Sequence, residues 1–103
     1  MDRLVDLAKV LRSKNSGPFE LTLDILFDDV VKYERVEKSG EINREAIALL
    51  YRINTEDITN LVFFKKALGI KITFNRKISS GTVGDRDVYG AQQHAPLFDI
   101  LIP

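Results

Sequence analysis

Residues 19–27 read FELTLDILF, and this stretch decides the fold. Phe19, Leu21, Leu23, Ile25 and Phe27 alternate with Glu20, Thr22, Asp24 and Leu26. An apolar period of two marks a strand with one buried face, because successive side chains point to opposite sides of the pleat. One strand cannot bury that face alone, so partner strands and a covering layer must come from the rest of the chain. Downstream, residues 60–64 (NLVFF) and 69–75 (GIKITFN) carry the same strand signal. Lys65, Lys66, Ala67 and Leu68 between them suit a charged hairpin turn, so this pair is expected to be antiparallel. Residues 97–102 (LFDILI) read as a last strand, stopped by Pro103.

The covering layer is expected from three helices. Residues 2–12 present Leu4, Leu7, Ala8 and Leu11 as one helical stripe with Asp2 as N-cap, and SKNSGP (13–18) reads as the stop. Asp28 or Asp29 caps a helix over about 30–38, with Val30, Tyr33 and Val36 inward and Gly40 just past its end. Asn43 caps a third over 44–52, where Ile42 and Ile47 have staple spacing and Ala46, Ile47, Leu50 and Tyr51 form the apolar face. Thr55-Glu56-Asp57 reads as a capped helical turn. The long helical connection between the first strand and the hairpin predicts a right-handed crossover between parallel strands. The expected architecture is α+β, a single-domain two-layer sandwich with helices on one face of a four-stranded mixed sheet.

Composition narrows the function classes. The 103 residues include 15 Lys+Arg and 15 Asp+Glu, a formal net charge of zero. That balance argues against a general nucleic-acid binder, which needs a basic face. There is no cysteine, hence no disulfide, thiolate nucleophile or Cys-ligated metal. No apolar run is long enough to span a membrane, and the acidic, amphipathic start does not read as a signal peptide, so a cytoplasmic protein is expected. A chain of this size buries about two-thirds of its surface, enough for a core without staples.

Three features could carry chemistry. The stretch 77–96 has no convincing period and reads as a long functional loop. It holds the only histidine, His94, with Asp85, Arg86, Asp87, Tyr89, Gln92, Gln93 and Gly81, Gly84 and Gly90. His94 titrates near neutrality, so with Asp85 and Asp87 it could accept and move protons. The plainer reading gives the aspartates Asx turns and His94 a structural hydrogen bond. No metal-binding spacing motif supports a cation there. The second feature is Arg12, Lys14, Asn15, Ser16 and Gly17, a basic polar turn able to hold a carboxylate or phosphate through the Arg12 fork; equally, its cations could offset a helix C-terminus. No P-loop pattern is present. The third is the polar side of the sheet, where Glu20, Thr22, Asp24, Lys71 and Thr73 meet if the register holds. Such a face can simply meet water, or bind another chain.

Two stretches are also recognisable as strings. LAKVLRSKNSGPFELTLDILFDD (7–29) and SGTVGDRDVYGAQQHAPLFDI (80–100) resemble the family known as domain of unknown function 4387. Its members are in turn similar to the small ferredoxin-fold-like domain at the C-terminus of acyclic terpene utilisation (AtuA-type) proteins. That domain has a helix-to-strand turn matched here by Leu7-Ala8, Arg12-Ser13 and then Lys14 to Gly17. The resemblance implies a ferredoxin-like general architecture and a large AtuA-like partner subunit encoded alongside; it implies no reaction and no cofactor. The expected function is a small accessory subunit contributing to a composite site for a small anionic metabolite. The organic-acid and acyl-thioester classes fit Arg12 and Lys14, with Tyr89, Gln92 and Gln93 as further binding groups. The alternative is a self-contained enzyme or ligand-binding homo-oligomer using Asp85, Asp87 and His94. Free sheet edges favour a homo-oligomer in isolation under either reading.

Overall fold

The computed structural model describes residues 1–17, 19–75 and 95–103. In chain order the elements are β1 (Asp2–Arg3), α1 (Leu4–Leu7), β2 (Val10–Gly17), β3 (Glu20–Leu26), α2 (Val30–Ser39), α3 (Arg44–Tyr51), β4 (Ile58–Phe64), β5 (Gly69–Asn75) and β6 (Leu101–Ile102). Short 3₁₀ turns occupy Thr55–Asp57, Lys65–Ala67 and Ala95–Asp99. The fold is α+β, with a four-stranded antiparallel sheet in the order β2-β3-β5-β4 and a separate two-stranded ribbon, β1-β6.

The decisive strand forms as its period requires. Leu21, Leu23 and Ile25 are buried on one side of β3 and lie opposite Phe74, Ile72 and Ile70 of β5. Tyr33 and Val36 of α2, Ile47 and Ala48 of α3, and Leu4 and Leu7 of α1 belong to the same apolar cluster. Phe27 is buried and meets the Tyr33 ring edge-on at 5.9 Å, while Tyr51 lies 5.0 Å from Phe74. Phe19 is the exception to the period: it sits in the β2–β3 connection, 55% exposed.

Both long helices start and stop where their end residues direct. Asp29 accepts the Val31 N–H at 2.8 Å, and Gly40 follows α2 at φ 72°, a left-handed position glycine takes without a Cβ clash. Asn43 accepts the Ala46 N–H at 2.8 Å, with Ile42 and Ile47 both buried beside it. The inward face of α3 is shifted from expectation: Ala48 is buried and Leu50 is exposed. The Thr55–Asp57 turn is closed by the Asn54 N–H donating to Asp57 Oδ2 at 3.0 Å.

Four expectations need correction. The helix expected over 2–12 is one turn, Leu4–Leu7, and the chain is extended from Ala8. Leu4 and Leu7 are buried as the stripe predicts, but residues 10–17 pair with β3 along seven register positions. An isolated helix that short is marginal, and an open strand edge offers the same backbone groups a complete set of partners. The strand expected over 97–102 shrinks to Leu101–Ile102 and pairs with β1, because β2 already occupies the place beside β3. The sheet is antiparallel at every neighbouring pair and is not mixed. β3 and β4 do run parallel across the helical crossover, but β5 returns through the Lys65–Ala67 turn into the slot between them. Finally, Ala95 and the residues to Asp99 form a 3₁₀ turn where the long loop was expected to run on to residue 96; the rest of that loop lies outside the described residues.

Candidate functional site: the outer face of the sheet

Strand parity sends one set of side chains to the core and the other to the opposite face. The register then assembles that outer face row by row. Arg12 lies opposite Asp24, Asp24 opposite Lys71, and Lys71 opposite Val62. In the next row Lys14 faces Thr22, Thr22 faces Thr73, and Thr73 faces Asn60. Glu20 and Asn75 end the face on one side. Val10, Leu26, Gly69 and Phe64 end it on the other, giving an apolar margin. Glu20, Thr22, Asp24, Lys71 and Thr73 therefore do share one face.

Arg12 Nε contacts Asp24 Oδ2 at 3.2 Å, a cross-strand ion pair whose arginine side chain is largely exposed and whose carboxylate is largely covered. Among the described residues only Nε of this guanidinium is engaged, and none of them occupies its Nη donors. Lys14 and Lys71 are exposed and have no ion-pair partner among the described residues. Beside them runs a hydroxyl chain. Ser16, the extra residue of a bulge in β2, donates to Glu20 Oε1 at 2.9 Å. Thr22 Oγ1 donates to Ser16 Oγ at 3.1 Å and lies 3.2 Å from Thr73 Oγ1. Each hydroxyl has one proton, so Thr73 must be the donor to Thr22. The polarity thus runs from Thr73 through Thr22 and Ser16 to the Glu20 carboxylate, and Thr22 and Thr73 are themselves buried.

The expected cluster at 12–17 is present in composition but not in form: it is a strand, not a turn. Arg12, Lys14 and Ser16 reach the outer face, whereas Asn15 pairs with Leu21 on the core-facing row. Gly17 pairs with Glu20 just past the bulge. Asp85, Asp87, Tyr89, Gln92, Gln93 and His94 lie outside the described residues. Among the described residues no group of three His, Asp or Glu side chains is placed to hold a metal ion. None of their helices is long and apolar enough to cross a membrane. Asn60, Val62 and Phe64 of β4 complete the face; four of the five residues of NLVFF are apolar, so its sequence carries no alternation that marks the outward side.

The model of the family described as domain of unknown function (DUF4387) matches residues 4–101. The chain belongs to this family. The DUF4387 match takes in β2 to β5 entire, and with them every residue of the outer face. No curated protein and no solved structure matches the chain.

Proposed function

We propose that this DUF4387 chain is a small accessory subunit whose outer sheet face forms one wall of a composite site for a small anionic metabolite, the other wall coming from a larger AtuA-like protein. The observation that carries this reading is the row Arg12–Asp24–Lys71 with Lys14 beside it: three exposed cations, one of them held in place by a carboxylate, on the sheet face opposite the apolar cluster that takes in the helices' buried residues. Arginine held through Nε presents a fixed fork to a carboxylate or phosphate. A domain this small encloses little on its own, and sites of useful volume form between subunits. The AtuA-like partner and the ferredoxin-like, two-layer plan are supported by the resemblance of the strings at 7–29 and 80–100. On this reading Asp85, Asp87 and His94 supply proton-moving groups, and Tyr89, Gln92 and Gln93 further polar contacts.

Co-expression with an AtuA-like protein encoded beside the gene tests the proposal. The expected result is co-purification, lost in the double variant Lys14→Glu/Lys71→Glu while the circular dichroism spectrum is unchanged. His94→Ala is expected to leave the complex assembled and abolish its activity. Failure of the native chains to associate, or an unchanged complex and activity in the doubly reversed variant, overturns it.

A further inference from the structure

The two edges of the sheet are built differently. The β2 edge carries Arg12 and Lys14 and is interrupted by the bulge at Ser16, two devices that discourage further strand pairing. The β4 edge, ITNLVFF, has no charge and no proline in seven residues. Its one irregularity, at Thr59, lies near its start and is pinned by the Thr59 hydroxyl donating to the Thr73 carbonyl at 3.3 Å. From Asn60 to Phe64 the strand is regular, and Val62 and Phe64 are 37% and 48% exposed. Charges occur only at its two ends and have opposite sign: Glu56 and Asp57 precede it, Lys65 and Lys66 follow it. Asp57 is used by the Asn54 N–H and Lys65 contacts Glu34 at 3.3 Å, but Glu56 and Lys66 are exposed with no ion pair among the described residues.

We infer that β4 pairs antiparallel with β4 of a second copy of this chain, about a two-fold axis near Leu61–Val62, to make a continuous eight-stranded sheet. An acidic start and a basic end make the strand self-complementary in one orientation only. Antiparallel pairing sets Glu56–Asp57 of each copy beside Lys65–Lys66 of the other, whereas parallel pairing sets like against like. Main-chain hydrogen bonds along Asn60–Phe64 supply the attraction, Val62 of both copies lie beside the axis on the outer face, and Phe64 extends the apolar surface on either side of it. Arg12 and Lys14 lie on β2 at the opposite edge of each sheet, while Lys71 on β5 adjoins Val62; the pairing uses the β4 backbone and does not require the proposed function.

Sedimentation velocity of the full chain over micromolar to submillimolar concentration tests the inference. A monomer–dimer equilibrium is expected. Val62→Lys, at an exposed position, is expected to weaken it by at least tenfold with an unchanged circular dichroism spectrum. Glu56→Lys and Lys66→Glu are each expected to weaken it severalfold, and the double exchange to restore most of the loss, since it re-creates opposite charges across the axis. A monomer at all concentrations, a dimer indifferent to Val62→Lys, or a double exchange as weak as its single parents would overturn the inference.

Discussion

Leu23→Ala is the sharpest test of the core. Leu23 is fully buried at the centre of β3, with Ser13 opposite on one side and Ile72 on the other. The lost carbons amount to two to three methylene equivalents at about 0.8 kcal/mol each, about 2 kcal/mol in all. Strands on both sides prevent collapse, and a residual cavity of ~60 Å³ at about 24 cal/mol per Å³ adds roughly 1.5 kcal/mol. The expected loss is therefore about 3.5 kcal/mol, a large part of the ~5–15 kcal/mol typical of a whole domain. Urea unfolding followed by circular dichroism reads it as a midpoint lowered by roughly 2–3 M. Phe19→Ala is the matched control. The apolar period places Phe19 on the same face, but the structure leaves it 55% exposed, and its removal is expected to cost under about 0.5 kcal/mol. A loss below about 1 kcal/mol for Leu23→Ala, or equal losses for the two variants, would refute the reasoning.

Arg35 joins α2 to the terminal ribbon, with Nη1 on Asp2 Oδ2 at 2.8 Å and Nε and Nη2 donating to the main-chain oxygens of Pro103 and Ile102 at 3.0 and 3.2 Å. Arg35→Ala is expected to cost about 1–2 kcal/mol in urea unfolding and to remove amide-exchange protection first at β1 and β6. Arg52 ends α3 at φ 57°, so Arg52→Gly is expected to raise stability by about 0.5–1 kcal/mol, read by the same unfolding assay. Burial raises the Tyr51 phenol above its ordinary value; burial first, then Glu37 at 3.3 Å, raises that of Tyr33. A raised folded-state value favours the protonated form, so the stability these groups support is complete below about pH 10 and declines above it, by up to about 1.4 kcal/mol per pH unit for each. Tyrosinate absorbance at alkaline pH is expected to rise for these two residues together with the loss of circular dichroism, and Tyr51→Phe to move that loss to higher pH.

The elements legible in the sequence were those whose local signals agreed with the final packing. FELTLDILF, GIKITFN and the helix caps at Asp29 and Asn43 needed no tertiary information, since period, cap and stop residue all pointed the same way. In residues 2–17 the local signals conflict with the packing. Leu4, Leu7, Ala8 and Leu11 have helical spacing, and Ser13 to Gly17 have the composition of a turn. The open edge of β3 outweighs both, since each backbone group of 10–17 that pairs there is one that need not be satisfied elsewhere. The same displacement sent the C-terminal LFDILI away from the sheet. It left Leu97 and Ile102 to be buried against the core from a 3₁₀ turn and a two-residue strand.

The polar face was legible in part because sheet parity couples it to the core. Leu21, Leu23 and Ile25 must be inside, so Glu20, Thr22 and Asp24 must be outside, and the hairpin partner brings Lys71 and Thr73 to them. Its cationic side was not, because Arg12 and Lys14 join the row only once 10–17 is known to be a strand. A slip of one residue in β2 would drive Arg12 and Lys14 into the apolar cluster and lift Leu11 out of it, a cost the ion pair with Asp24 could not offset. The register of the sheet is therefore held by its buried side. It follows that the exposed residues of the outer face are free to serve binding, and that charge reversals at Lys14 and Lys71 report on recognition without disturbing the fold that presents them.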